Sequence, residues 1–453
     1  MRHGGVCRGN APGKFQGRPR YGACKTVAGS TLNLTLMANI LLVGQGGFGD
    51  LIPLFALAMA LQQRGHCISI AAEGHHHAAC ATMGLRLSPL RGMTPLQSDT
   101  DHTALAPSWR ERLRATLAPE QMESELGQLL PLVRQADLVI GNQLAYSGAL
   151  ACRVVGRRWV FSAASPLVMP SRHDAPFWPY LYPWQKRVAH LGWSQRGFLP
   201  LARLGTRALM QPQLQLYRRL GVPLPGHPRF EGMYSAELNL LMTSPALAPA
   251  QPDWPQGTLA TGFAWLDPPF LGGEDQEQAI VAFARAGSLP IVFAPGGSTR
   301  GDPGAFFEQS VAAAQLSGRR AIVVAAKKFH GRFAASDDLL VTGYFPYARL
   351  FRHAALVVHS AGIGALGWAA RFAIPSLLVP SEWDQFDNAR RAERAGLGRV
   401  LDIHNYTGAK IAAAINAVEA DVRIATGLSH LAPILNAEDG ARVACDAVDA
   451  LLR

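Results

Sequence analysis

Cysteine is scarce in this chain. Six cysteines, at positions 7, 24, 67, 80, 152 and 445, are scattered over 453 residues with no Cys-x-x-Cys pair. That argues against a disulfide framework and for a reducing compartment, so the expected location is cytoplasmic. Long hydrophobic runs are missing as well. An 18-residue stretch without Asp, Glu, Lys or Arg, His353 to Ala370, is broken by Gly362, Gly364, Gly367 and His359. A buried strand, loop and helix are expected there rather than a membrane span. Acidic residues are absent from 1–36, which hold six Lys or Arg and lack an apolar core of signal-peptide length. This Gly-rich, aperiodic segment is expected to be a disordered basic extension ahead of a natural start at Met37, a basic tail for anionic surfaces being the alternative. No nucleic-acid motif and no short-period repeat appears, and no nucleic-acid partner is expected. The net charge of +11 falls to +5 without that extension, a balance that suits an anionic ligand or the inner face of a membrane.

What is present is alternation. Ile40–Val43, Cys67–Ala71, Asp137–Ile140 and Trp159–Ser162 are short apolar runs of strand length, and between the first two the apolar positions 54, 57, 58 and 61 repeat at helical spacing. A helix is expected from near Pro53 to Arg64. The pattern restarts with Ile291–Ala294, Ala321–Ala325, Leu339–Thr342, Leu356–Val358 and Ser376–Val379. Two α/β domains with parallel sheets follow from it: an N-terminal domain over 37–243, a Pro- and Gly-rich linker over 244–275, and a C-terminal domain over 276–453 whose last helix is free to pack back on the first. Ligands are expected at the carboxyl ends of the strands and in the cleft between the domains.

Three loops follow strands and carry glycine or small polar residues: 44–50, 295–301 and 359–365. Glycine permits close backbone approach, and a following helix offers free N–H groups and a positive dipole end. The last of these loops opens a helix, and Asp384-Gln385 follows the next strand. An Asp–Gln pair there has the acceptors and donors to hold vicinal sugar hydroxyls; the plainer role is a helix N-cap with a polar first turn. His75-His76-His77 near Cys80 is a weak metal signal, because adjacent histidines on a helix point in different directions. No metal site is expected.

The segments Tyr344-Phe-Pro-Tyr347, Val-Val-His-Ser-Ala-Gly-Ile-Gly-Ala365 and Pro380-Ser-Glu-Trp-Asp-Gln-Phe-Asp-Asn-Ala-Arg390 resemble the donor-binding signature of glycosyltransferase family 1, the UDP-glycosyltransferase superfamily. Gly-Phe-Gly-Asp-Leu-Ile-Pro53 resembles the opening of its bacterial members, among them a rhamnosyltransferase chain of glycolipid synthesis and the macrolide and sterol glycosyltransferases. The resemblance spans about 38–425. It implies a GT-B fold: two facing Rossmann-like domains, acceptor on the first and nucleotide sugar on the second. It implies an inverting transfer, without metal or separate cofactor, from a UDP- or dTDP-sugar to a hydroxyl of a hydrophobic lipid or natural-product acceptor.

Residue by residue, the resemblance places the general base at Asp50. The diphosphate cradle falls on Gly297, Ser298, Thr299, Ser360, Gly362 and Gly364, with His359 beside it. The base contact, by backbone or ring, falls on Phe345, the sugar contacts on Asp384 and Gln385, and a packing or phosphate-side role on Asn388. The aromatic-rich stretch around Phe177, Trp178 and Tyr180 is expected to line the acceptor pocket or to meet a membrane surface. This chain departs from the family at Ser360 (usually His), Ala361 (usually Gly) and Ala365 (usually Thr or Ser). Those losses admit a second expectation, a degenerate member that binds a nucleotide sugar or a partner without efficient catalysis. A nucleotide-sugar epimerase on the same fold is the third.

Overall fold

A computed structural model describes residues 37–91, 118–179, 181–188, 192–223, 226–295, 303–333 and 336–453. The first sheet is built from β1 (Asn39–Val43), β2 (Cys67–Glu73), β3 (Arg86–Leu90), β4 (Leu138–Gly141), β5 (Arg158–Ala163), β6 (Asn239–Leu241) and β7 (Thr258–Ala260). The second holds β8 (Ile291–Ala294), β9 (Ala321–Val324), β10 (Leu339–Thr342), β11 (Leu356–His359), β12 (Ser376–Leu378) and β13 (Gly398–Val400). Their spatial orders are β3-β2-β1-β4-β5-β6-β7 and β10-β9-β8-β11-β12-β13, with parallel pairing throughout. The central strands are short apolar runs because both faces are covered by helices. β4, β8, β9 and β11 are buried along their whole length.

The helices that shape the site are α1 (Phe48–Gln63), α2 (Pro119–Gln135), α3 (Tyr146–Val155), α4 (Tyr182–Val188), α5 (Gly192–Arg207), α6 (Ile363–Arg371), α7 (Gln385–Arg394) and α8 (Gly440–Leu452). In each sheet the strand order reverses once, between β1 and β4 and between β8 and β11. Loops leaving the carboxyl ends of two such strands diverge to opposite faces and open a crevice. The loops after β1, β4 and β11 are the ones that carry the candidate site.

The boundary expected at 243 moves. β7 lies inside the stretch expected to be a linker and forms the edge of the first sheet, pairing with β6 from Asn239↔Thr258 to Leu241↔Ala260. The Pro-rich words around it hid a three-residue strand. Phe270, further along the same stretch, packs on Phe48 and Phe55 of α1. The closing helix α8 returns to the first sheet. Its Ala444, Cys445 and Val448 are buried in that core, and Asp449 takes Arg64 at 2.6 Å and His66 at 2.8 Å.

Candidate active site

β1 ends at Val43, and the chain turns through Gly44–Gly47 into α1. Gly46 has φ +103°, and a Cβ on it would lie 2.5 Å from Oδ2 of Asp50. Only glycine fits that turn while the carboxylate stays where it is. The helix starts at Phe48, five residues before the expected start, with Gly47 at the N-cap. Pro53 is accommodated within it, so Asp50 lies inside the first turn rather than at the cap. A carboxylate in the first turn is favoured by the helix dipole. The turn is braced from below by His76. This residue is buried, its Nε2–H donates to the Gly46 carbonyl at 3.2 Å, and its ring packs edge-on against Phe48. Burial, with neighbouring His75, holds it down at about 4, so it is neutral near pH 7. The histidine run thus supports the loop. Among the described residues no group of three His, Cys, Asp or Glu is placed to hold a metal ion.

The side chain that meets Asp50 was not singled out in the sequence. Gln143, just beyond β4, donates Nε2–H to Asp50 Oδ1 at 2.8 Å, and its Oε1 accepts from the Ala164 backbone N–H at 2.8 Å. With the carbonyl end pinned, the amino end is fixed toward the carboxylate. Asn142 ties the two loops together, donating to the Gln45 carbonyl at 2.7 Å and accepting from Leu144 N–H at 3.2 Å. Beneath them Glu125 of α2 accepts from Gln45 at 2.7 Å and from Ser147 of α3. The signal in the sequence was a Gly-Asn-Gln turn after a buried strand.

In the second half, β11 runs into His359. That ring is buried, accepts the Ala361 N–H on Nδ1 at 3.2 Å, and is held down at about 3 by its burial. It is therefore neutral, with its proton on Nε2. Ser360 is nearly buried at the loop entrance. Ala361 takes φ +63°, the left-handed region where glycine is at ease and alanine is strained. The backbone thus keeps a glycine-type path without the glycine. Gly362 is the N-cap of α6, and a Cβ on Gly362 or Gly364 would meet nothing within 4 Å. The helix N-terminus is thus open to an approaching group. Ala365 is buried in the core beside β8 and β11.

Asp384 and Gln385 stand at the start of α7, after Trp383, which has φ +48°. Asp384 occupies the N-cap position without a capping bond from its side chain. Burial raises its pKa, opposed by hydrogen bonds from Asn388 and Ser165. Gln385 turns back into its own loop, where Oε1 accepts the N–H groups of Ser381 and Glu382 at 2.9 and 3.0 Å. Asn388 is the junction. It donates to Asp384 Oδ2 at 2.8 Å and to the Ala361 carbonyl at 3.1 Å, and it accepts from Ser165 Oγ at 3.3 Å. One fully buried amide therefore joins the phosphate-sized loop, the Asp–Gln pair and the segment after β5 of the other sheet.

That crossing is reinforced by charge. Asp174 pairs with Arg390 at 2.9 Å, with Arg394 at 3.3 Å, and with Arg391. Burial would raise the Asp174 carboxyl, but the guanidinium groups of Arg391, Arg390 and Arg394 outweigh it and hold it at about 2. Asp387 accepts the Phe177 N–H at 3.0 Å and pairs with Arg391 at 2.7 Å.

The aromatic rings expected near the ligands are packed into the protein. The Phe345 ring is fully buried under Gly272, so only its backbone is left to meet a base. Phe177 packs beneath Arg390 and beside Tyr182, and Trp178 packs with Leu199 and Phe230. Both rings are consumed by packing rather than lining an open acceptor pocket. Tyr180, Gly297, Ser298, Thr299 and the extension 1–36 lie outside the described residues.

The glycosyltransferase of kitacinnamycin superposes with a TM-score of 0.67 at 19% identity, covering 92% of this chain and 100% of that one. A spinosyn rhamnosyltransferase complexed with thymidine diphosphate gives 0.63 at 19% identity, with the same coverages. The fold is GT-B. Residues 313–438 match the family described as erythromycin biosynthesis protein CIII-like, C-terminal domain. O-mycaminosyltylonolide 6-deoxyallosyltransferase of Streptomyces fradiae is 25% identical, covering 90% of this chain and 96% of its own. A sterol 3-beta-glucosyltransferase of Arabidopsis thaliana is 24% identical over 94% of this chain and 68% of its own. The homologues of this GT-B chain are macrolide and sterol glycosyltransferases.

Proposed function

We propose that this protein is an inverting, metal-independent glycosyltransferase that moves a sugar from a UDP- or dTDP-sugar to a hydroxyl of a hydrophobic acceptor. The relatives, which by name act on a macrolide and on sterols, support the acceptor class. The observation that carries the reading is Asp50, a carboxylate held at the β1–β4 crevice by Gln143.

An acceptor hydroxyl loses its proton as it attacks the anomeric carbon from the face opposite the leaving group. Asp50 takes that proton, and Gln143 keeps the accepting carboxylate oriented. Negative charge grows on the departing diphosphate. The open N-terminus of α6 at Gly362 and Gly364 supplies N–H groups and a positive dipole end for it. Asp384 and Gln385 stand one strand away for the sugar hydroxyls, and the Ser381 and Glu382 amides hold Gln385 by its Oε1. The reading includes a nucleotide sugar as co-substrate and no separate cofactor.

The substituted loop is also the argument for a degenerate member. Against that reading, Ala361 keeps the left-handed path that a glycine would take, so the cradle persists in backbone form. Assaying the chain with a panel of UDP- and dTDP-sugars and a hydrophobic hydroxyl acceptor tests the choice. Transfer with inversion at the anomeric carbon is the expected result. Nucleotide binding without transfer by any donor would establish the degenerate member. An epimerised sugar still on its nucleotide would establish the epimerase.

A further inference from the structure

From Ala175 to Phe230 the chain has 56 residues without a single Asp or Glu, and eight Lys or Arg. With 32 acidic residues in 453, about four would fall in a stretch of this length. Most of the stretch folds as α4, α5 and the helices that follow. Large apolar side chains project from it. Trp184 of α4 and Leu201 and Leu204 of α5 are 49%, 62% and 71% exposed. They form one patch. Trp184 packs edge-on against Phe198 at 4.9 Å, and Leu201 and Leu204 are three and six residues further along the same helix, within two turns. On the same helices Lys186, Arg187 and Arg207 are exposed, Arg187 and Arg207 each three residues beyond Trp184 and Leu204. Arg203, by contrast, is paired with Glu231.

A lone exposed leucine is ordinary on a protein surface. Three large apolar groups with exposed cations on the same helices, in a segment that itself contributes no acid, are not. A patch of this composition is complementary to a layer with negative headgroups over an apolar interior. Its place in the fold matters too. Tyr182, two residues before Trp184, packs against Phe386 of α7 at 4.6 Å, next to the Asp384–Gln385 pair. The helix α4 that carries Trp184 therefore meets α7.

We propose that the face formed by α4 and α5 docks the protein on an anionic lipid bilayer, with Trp184, Leu201 and Leu204 inserted among the headgroups and Lys186, Arg187 and Arg207 against lipid phosphates. The docked orientation turns the cleft mouth toward the bilayer, where a hydrophobic acceptor would reside. Docking itself does not depend on the transfer chemistry.

The test is co-sedimentation of the full chain with vesicles of phosphatidylcholine, with and without about one-third phosphatidylglycerol. The chain is expected to sediment with the anionic vesicles only, and to be released as salt rises to about 0.5 M. L201S/L204S and K186E/R187E are each expected to reduce partitioning about tenfold, with an unchanged thermal melt. Sedimentation of both variants like the parent would overturn the proposal and assign the binding to the basic segment 1–36. Absence of parent binding would also overturn it. So would loss, in L201S/L204S, of a dimer seen by ultracentrifugation without lipid, because the patch would then join two copies of the chain.

Discussion

Gln143 Nε2 lies 2.8 Å from Asp50 Oδ1, and the same side chain accepts the Ala164 N–H at 2.8 Å. One amide thus fixes the candidate base from the neighbouring strand. It also ends one residue from Ser165, which meets Asn388 of the other domain at 3.3 Å.

Two substitutions test the pair. Asp50→Asn should lower turnover by about 10²–10⁴ while leaving nucleotide affinity intact. Gln143→Leu removes a hydrogen bond to the charged form of Asp50. Turnover should fall about tenfold with donor affinity and thermal midpoint unchanged. A variant that lost donor affinity or thermal stability along with turnover would show Gln143 to be structural only.

Asn388→Ala should cost about 2–4 kcal/mol, because the Ala361 carbonyl and the Asp384 carboxylate lose a donor in a buried place. Nucleotide affinity should fall with it, since Asn388 ties the α6 loop to α7. Urea unfolding and calorimetry read the two effects separately. Asn388→Asp should be worse, placing a second carboxylate beside Asp384.

Ala361→Gly should stabilise the protein by about 0.5–1 kcal/mol. Relief of a left-handed alanine outweighs the extra freedom that glycine gives the unfolded chain. A rise in thermal midpoint with retained nucleotide binding is the expected outcome. A lower midpoint would mean that the Cβ packs favourably enough to repay the strain.

Acid should weaken the fold in two stages. His76 and His359 are depressed to about 4 and about 3, whereas unfolded histidine titrates near ~6.5. Their contribution is complete above ~6.5 and is lost as pH falls toward those values, because only the unfolded chain binds the protons. Asp174, held at about 2, adds a second loss between an unfolded value near ~4 and about 2. Urea midpoints at pH 7, 5.5 and 4 should fall steadily, and His76→Gln should flatten the upper part of the curve.

Most of the architecture was legible in the sequence because buried parallel strands are continuous apolar runs. Ile291–Ala294 and Leu339–Thr342 are bounded in the fold as their composition implied. β7 was hidden because three residues among prolines carry no periodicity, and only pairing with β6 makes them a strand. The start of α1 was misplaced because Pro53 looks like a helix start, whereas the Gly47 turn sets it earlier.

The sequence by itself determined the two α/β units, the glycine loops and the carboxylate at position 50, since local spacing and residue type encode them. The tertiary structure decided which groups meet. Gln143 reaches Asp50 across 93 positions and Asn388 reaches Ser165 across 223, and no local pattern carries such distances. It also decided that Phe345, Phe177 and Trp178 are spent on packing. Burial is a property of the folded surroundings, and an aromatic residue reads the same in sequence whether it fills a core or faces a ligand.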